Sequence, residues 1–159
     1  MTRILVVDDE PQLLEIIREH FQGRYEIDTA LSGASAIERF VRNRPDMVFL
    51  DVNMPGANGV AVLKLLRETD PKIPVVIVTA NAQNQVAAEC LANGAFGYVP
   101  KPFNLTYMEK GAGVLLRGDA PFCPRARRPA YPVVCVMTSG ERRCATWSGR
   151  ACRAARRRT

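Results

Sequence analysis

The chain has 159 residues, which allows one ordinary domain and a further segment but hardly two domains. Hydrophobic residues make up 47% of the sequence and charged residues 24%, a composition typical of globular proteins. No uninterrupted apolar run exceeds five residues, whereas a membrane helix needs about 20. The first residues also lack the apolar stretch and cleavage site of a secretory signal, so we expect a cytoplasmic protein.

Charge and cysteine divide the chain into two unequal parts. The net charge is +6, but residues 1–117 carry 12 basic and 14 acidic side chains. Residues 118–159 carry ten arginines, no lysine and two acids, together with four of the five cysteines. We therefore predict a folded domain over residues 2–117 and a separate tail, rich in arginine and cysteine, over residues 118–159.

Strand and helix patterns alternate along the first part. Continuous apolar runs predict strands of a parallel sheet that helices cover on both faces, and they are Ile4–Val7, Met47–Leu50, Val75–Val78 and Ala95–Val99. The segment Tyr25–Ala30 alternates apolar and polar residues, which favours an edge strand. Stripes of apolar residues at helical spacing lie between the strands. Five strand–helix repeats predict an open α/β sandwich.

Helix ends and helix breakers refine this prediction. Asp9 can cap the first helix just ahead of Pro11, and Ser32 can cap the second. The fifth helix is the weakest, because Gly111 and Gly113 each cost about 1 kcal/mol relative to alanine.

Polar residues stand where the predicted strands stop. Asp8 and Asp9 follow the first strand, Asp51 the third, Thr79 ends the fourth and Lys101 follows the fifth. Each has a simpler interpretation: a helix cap, a turn residue, a strand residue or a surface charge. Because the carboxyl ends of parallel strands face one ligand crevice, the five together indicate a shared site.

Four motifs in a fixed order carry a resemblance to a known family. They are Ile4-Leu5-Val6-Val7-Asp8-Asp9-Glu10, Asp51-Val52-Asn53-Met54-Pro55-Gly56-Ala57-Asn58-Gly59, Val78-Thr79-Ala80 and Gly97-Tyr98-Val99-Pro100-Lys101-Pro102-Phe103. Residues 2–117 resemble the receiver domain of a bacterial two-component response regulator. The resemblance implies a flavodoxin-like, five-stranded parallel sheet of order 2-1-3-4-5. It also implies that Asp51 is the phosphoacceptor.

The resemblance further implies a magnesium site and a role for each polar residue. Asp9 and Asp51 would bind Mg²⁺ directly, Asp8 mainly through water, and Asn53 through its backbone carbonyl. The oxygen-rich ligand set suits a hard cation that keeps several waters. Lys101 would contribute positive charge to the phosphoryl oxygens and Thr79 a hydrogen bond.

A switch and its partners follow from the same resemblance. Thr79 would move toward the phosphoryl group and Tyr98 would turn inward, which remodels the face formed by the fourth helix, fifth strand and fifth helix. The expected partners are a sensor histidine kinase or phosphotransfer protein, and an output protein or a second copy of the chain at that face. Asn53 and Asn81 would tune the phosphoryl lifetime. The protein would catalyse its own phosphorylation and dephosphorylation without being a turnover enzyme.

His20 and Asn53 bear on two other possibilities, a second phosphorylated residue and a different enzyme class. His20, the only histidine, is expected on the surface of the first helix, far from the strand ends. A metal-dependent phosphatase of similar architecture would place a second acid two residues after its nucleophile, where this chain has Asn53.

Three interpretations compete for residues 118–159. The segment could be a disordered basic arm that binds nucleic acid through arginines, and a nucleic-acid-binding regulator is the alternative function. It could be a cysteine-based module, although gaps of 11, 8 and 7 residues between the cysteines argue against zinc. It could also be a reading-frame slip or a fusion artefact, because out-of-frame GC-rich coding would give arginine without lysine.

Overall fold

Strands and helices alternate five times, as the sequence predicts, in the computed structural model of the protein. The structure describes residues 1–56, 58–80, 85–117, 134–138 and 141–145. The strands of the first part are β1 (Arg3–Val7), β2 (Glu26–Ala30), β3 (Met47–Asp51), β4 (Val75–Thr79) and β5 (Gly97–Pro100). The helices are α1 (Pro11–Phe21), α2 (Gly33–Asn43), α3 (Gly59–Thr69), α4 (Gln85–Ala92) and α5 (Leu105–Arg117). None of the helices in these described ranges is long and apolar enough to cross a membrane.

The five strands form one parallel sheet in the order β2-β1-β3-β4-β5, which confirms the predicted order and the flavodoxin-like fold. β1 lies between β2 and β3 and pairs with both. The chain therefore adds β2 on one side of β1 and then β3, β4 and β5 on the other side. β2, whose sequence alternates, lies at an edge. β3 and β4 are buried along their whole length, because helices cover both faces of the sheet.

Two apolar clusters hold the helices against the sheet. On one face, residues of α2, α3 and α4 such as Phe40, Leu63 and Cys90 pack on the sheet. On the other face, α1 and α5 pack through residues such as Phe21 and Met108. Successive residues of a strand point to opposite faces, so each buried strand contributes to both clusters.

The helix ends agree with the sequence in α2 and differ in α1. Ser32 caps α2, and its hydroxyl accepts a hydrogen bond from the Ser35 N–H at 3.2 Å. The predicted Asp9 cap of α1 is wrong. Glu10 is the N-cap residue, without a side-chain cap bond, because Pro11 already occupies the first helical position.

The fifth helix is complete despite its two glycines. α5 runs to Arg117, and it buries Met108 and Ala112 against the sheet. The two glycines cost about 2 kcal/mol together, whereas burying one large apolar side chain such as Met108 is worth about 1.5–3 kcal/mol. Leu105, Leu115 and Leu116 of α5 pack against the same cluster, so burial outweighs the low helix propensity.

The structure describes ten residues of the tail, as two strands that were not predicted from the sequence. β6 (Val134–Thr138) and β7 (Glu141–Ala145) pair antiparallel, with Val134 opposite Ala145 and Thr138 opposite Glu141. β6 contains β-branched residues, which favour strands. The rest of residues 118–159, on which the predictions of disorder or an artefact also depend, lies outside the described residues.

Candidate functional site

Four parallel strands end at one edge of the sheet, and each brings a polar side chain there. Asp8 directly follows β1, Asp51 is the last residue of β3, and Thr79 is the last residue of β4. Lys101 directly follows β5. Because β1, β3, β4 and β5 pair in parallel register, these side chains reach the same edge from neighbouring strands.

Three carboxylates form an acidic cluster at this edge. Asp8, Asp9 and Asp51 each offer one oxygen, and these oxygens lie within 4.8 Å of one another. Asp8 and Asp51 are only 2% and 3% exposed, whereas Asp9 is exposed. Like charges this close, two of them buried, oppose one another and favour a nearby cation.

Lys101 supplies part of the positive charge. Its Nζ donates to Asp8 Oδ2 at 2.7 Å and to Asp51 Oδ2 at 2.9 Å. Burial lowers the pKa of Lys101, but the hydrogen bonds to Asp51 and Asp8 outweigh it and raise the pKa above its ordinary 10.5. The side chain of Lys101 is therefore protonated and positively charged at neutral pH. With one ammonium and three carboxylates, the cluster keeps a net negative charge.

The donor set fits a hard divalent cation. All three acidic residues offer oxygen ligands, which Mg²⁺ prefers, and their spacing allows more than one to reach a single ion. Asp9 is exposed, so the cluster opens to solvent on that side, and Mg²⁺ usually keeps several waters.

Local hydrogen bonds hold the first strand end in shape. Asp8 Oδ1 accepts from the Glu10 N–H at 3.0 Å while its Oδ2 accepts from Lys101. Glu10 Oε1 lies 3.8 Å from Lys101 Nζ, a contact that was not predicted from the sequence. Because Glu10 takes the N-cap position, Asp9 is not used as a helix cap and belongs to the acidic cluster.

Asn53 connects the third and fourth strand ends. Its N–H donates to Asp51 Oδ1 at 2.8 Å, and its side-chain Nδ2 donates to Thr79 Oγ1 at 3.0 Å. Thr79 is 2% exposed. The bond to Thr79 was not predicted, since nothing in spacing or composition links two side chains 26 residues apart. Asn81, the other residue predicted to tune lifetime, lies outside the described residues.

Tyr98 lies on β5, next to the site and outside the acidic cluster. It is half-buried and packs against the apolar cluster on the face of α2, α3 and α4. In the sheet register it is the neighbour of Ile77, two residues before Thr79. Its role in a switch stays a prediction.

His20 lies away from the acidic cluster, as predicted. It is exposed on α1, and its Nε2 lies 3.2 Å from Glu109 Oε2 on α5. Arg24 Nη1 donates to the other oxygen of Glu109 at 2.5 Å. Glu109 is buried and was not singled out from the sequence, because an acid inside a helical stretch carries no pattern of its own.

An apolar groove of about 510 Å³ adjoins the acidic cluster. α1 contributes Leu13 and Ile16 to its lining, the segment after β5 contributes Phe103 and Leu105, and Lys101 lines it as well. Glu10 and Lys101 line both this groove and the surroundings of the acidic cluster.

Comparison of the chain with models of protein families identifies the kind of domain. The model for the response regulator receiver domain matches residues 4–111, from β1 into α5. The chain belongs to the response regulator receiver domain family. It is thus a receiver domain of two-component signal transduction, a family for which phosphorylation and magnesium binding at an acidic pocket are typical.

Individual relatives agree with the family match. The chain is similar to the regulatory protein AtoC of Escherichia coli, with 39% identity over 66% of this chain and 23% of AtoC. It is 38% identical to the response regulator MprA of a Mycobacterium species, over 75% of this chain and 52% of MprA. The chain thus spans about half or less of the length of these curated relatives.

A solved receiver structure supports the fold. The beryllofluoride-activated DrrB receiver domain superimposes with a TM-score of 0.65 at 28% identity, covering 74% of this chain and 98% of that structure. The family of response regulators interacts with histidine kinases and output domains.

Proposed function

We propose that this receiver domain accepts a phosphoryl group on Asp51 from a sensor histidine kinase or a phosphotransfer protein. The observation that carries the proposal is a buried carboxylate, 3% exposed, whose Oδ2 lies 2.9 Å from the ammonium of Lys101. The turn that Asp51 opens uses Oδ1, which accepts from the Asn53 N–H, and it leaves Oδ2 to the ammonium of Lys101. A buried charge held beside a specific partner at a strand end is typical of a functional site.

The transfer uses one oxygen of Asp51 as nucleophile. That oxygen attacks the phosphorus of a phosphohistidine, a new O–P bond forms, and the P–N bond breaks with its electron pair leaving on the imidazole nitrogen. Lys101 already donates a hydrogen bond to Asp51, so its ammonium lies close enough to stabilise the negative charge of the transferred phosphoryl oxygens. Positioning and electrostatic stabilisation supply most of the catalysis in phosphoryl transfer.

Asp8, Asp9 and Asp51 would hold Mg²⁺ together with the backbone carbonyl of Asn53, with Asp8 acting mainly through water. The support is the set of carboxylate oxygens within 4.8 Å and the net negative charge that remains beside Lys101. A bound Mg²⁺ supplies positive charge that offsets the repulsion between carboxylate and phosphate.

Phosphorylation would switch the face formed by α4, β5 and α5. A phosphoryl group on Asp51 presents oxygens that the Thr79 hydroxyl can reach by moving inward, and Tyr98 would follow. The remodelled face would contact an output protein or a second copy of the chain. Asn53 and Asn81 would set how long the acyl phosphate lasts. The domain would promote its own phosphorylation and dephosphorylation and would not be a turnover enzyme.

The family match does not favour the alternative of a separate nucleic-acid-binding function, because it lies within residues 4–111 and does not include the arginine-rich tail. The two arginine clusters of the tail that could contact nucleic acid, at residues 125–128 and 153–158, lie outside the described residues. Truncation after Arg117 tests this alternative, which requires salt-sensitive DNA binding to disappear while phosphorylation persists.

Labelling with radioactive acetyl phosphate tests the proposal. Asp51→Asn should abolish uptake of label, since an amide cannot form the acyl phosphate. Asp46→Asn is the matched control, because Asp46 immediately precedes β3 and is therefore at the opposite end of the same strand. Its Oδ2 accepts from the Arg3 N–H, a bond that an amide oxygen can replace, so labelling should be retained.

The metal requirement is tested in the same assay. Label uptake should need Mg²⁺ and should stop in EDTA, and Asp9→Ala should require more Mg²⁺ for the same uptake. Undiminished labelling of Asp51→Asn, with a circular dichroism spectrum like that of the unmodified chain, would contradict the assignment of the phosphoacceptor.

A further inference from the structure

Thr79, the predicted switch residue, accepts a side-chain hydrogen bond from Asn53. Asn53 Nδ2 donates to Thr79 Oγ1 at 3.0 Å. Asn53 is an exposed residue in the loop after β3, whereas Thr79 is 2% exposed at the end of β4. The bond therefore connects a buried hydroxyl at the end of β4 to the exposed loop that follows the neighbouring strand, β3.

The backbone of Asn53 is anchored at the same time. Its N–H donates to Asp51 Oδ1 at 2.8 Å, while Asp51 Oδ2 accepts from Lys101 Nζ. Asn53 thus contacts the proposed phosphoacceptor through its main chain and Thr79 through its side chain. These two contacts place the carboxamide between the residue that would change chemically and the residue that would respond.

We infer that the Asn53 carboxamide is a latch that holds Thr79 in its unphosphorylated position. The inference deepens the proposed function and rests on it. When Asp51 carries a phosphoryl group, Thr79 moves toward it so that its hydroxyl donates to a phosphoryl oxygen, and this movement takes Oγ1 out of reach of the Asn53 amide that donates to it. The bond gained is assisted by charge, so it outweighs the neutral bond that the movement breaks. Asn53 is a positioning residue in this scheme and acts through Thr79.

A latch makes the phosphorylated form harder to reach. A neutral intramolecular hydrogen bond contributes about 0.5–1.5 kcal/mol, so removing the carboxamide should favour the switched state by about twofold to tenfold. Asn53→Ala keeps the backbone carbonyl and N–H, so the main-chain bond to Asp51 can stay in place.

Beryllofluoride, a phosphoryl mimic, tests the latch without a kinase. Its binding in Mg²⁺ is measured by fluorine NMR on the full chain and on Asn53→Ala, Thr79→Val and the double variant. Asn53→Ala should bind about twofold to tenfold more tightly relative to the unmodified chain, and it should give no such gain in the Thr79→Val background. Only a coupling between the two side chains produces that difference, since other effects of losing Asn53 occur in both backgrounds.

The position of Thr79 gives a second measurement. In isotope-labelled protein without beryllofluoride, the Thr79 methyl resonance of Asn53→Ala should move toward its position in the bound form. The same change in affinity in both backgrounds, or weaker binding of Asn53→Ala only when Thr79 is present, would overturn the latch. If the folded, unmodified chain binds no beryllofluoride, the proposed function itself fails and the latch with it.

Discussion

Gly59, the first residue of α3, packs against the main chain that leaves β3. A Cβ placed on Gly59 would lie 2.4 Å from Val52 Cα and 2.7 Å from Val52 Cβ. Carbon atoms in contact normally stand about 3.5–4.0 Å apart, so Gly59→Ala forces α3 away from the loop. Because Val52 directly follows Asp51, the same displacement would disturb the acidic site.

The size of the effect follows from what the new methyl group meets. Overpacking a well-packed site typically costs about 1–3 kcal/mol, and a backbone atom cannot rotate away as a side chain can. We therefore expect Gly59→Ala to lower the free energy of unfolding by about 3 kcal/mol. Gly111 is the matched control, since a Cβ there meets nothing within 4 Å. Gly111→Ala should instead raise the free energy of unfolding by about 1 kcal/mol, through helix propensity in α5.

Urea unfolding of the full chain, followed by circular dichroism, measures both variants. The denaturant dependence should be unchanged, so the shifts in midpoint report stability. A Gly59→Ala protein within about 0.5 kcal/mol of the unmodified chain would refute the reasoning about close packing. A destabilised Gly111→Ala protein would show that the control position is not open.

The helix end at Arg44, the thiol of Cys90 and the ammonium of Lys101 allow three further tests. Arg44 ends α2 with a φ of 45°, so Arg44→Gly should raise the free energy of unfolding by about 1 kcal/mol, and an unchanged urea midpoint would contradict this. Burial raises the pKa of Cys90 from 9.0 to about 11, so stability should decline as the pH rises through this range, because the unfolded thiol ionises first. The decline should be smaller in Cys90→Ala, as measured by urea unfolding across that range. Lys101→Met leaves Asp8 and Asp51 without their ammonium and should cost about 3 kcal/mol in EDTA. Thermal unfolding should show a larger gain from Mg²⁺ in this variant than in the unmodified chain, and equal gains would contradict the charge argument.

The sequence was enough to predict the fold and the edge of the sheet that carries the site. Continuous apolar runs identified four of the strands, including β3 and β4, which are buried along their whole length, because a sheet covered on both faces needs apolar side chains in both directions. The positions of Asp8, Asp51, Thr79 and Lys101 followed, because each adjoins the end of such a run and parallel strands end at the same edge. The roles of these residues in phosphoryl transfer stay predictions.

Other features depended on contacts that no local pattern records. The sequence suggested Asp9 as a helix cap, but α1 begins one residue later and takes Glu10 as its cap residue. The glycines of α5 suggested a weak helix, whereas packing against the sheet completes it. The strands β6 and β7 were not predicted from the sequence. Each is defined by its backbone pairing with the other, and this pairing leaves no pattern in either segment alone.

The contacts that make the site specific were decided only by the tertiary structure. The bond from Asn53 to Thr79, the buried Glu109 beside His20 and the close approach of Gly59 all join side chains or main chain across separate elements. Periodicity reports which way a residue faces, because that depends on its own helix or strand. Which atom it contacts there depends on how two elements pack against each other, and the sequence of one element alone does not determine that packing.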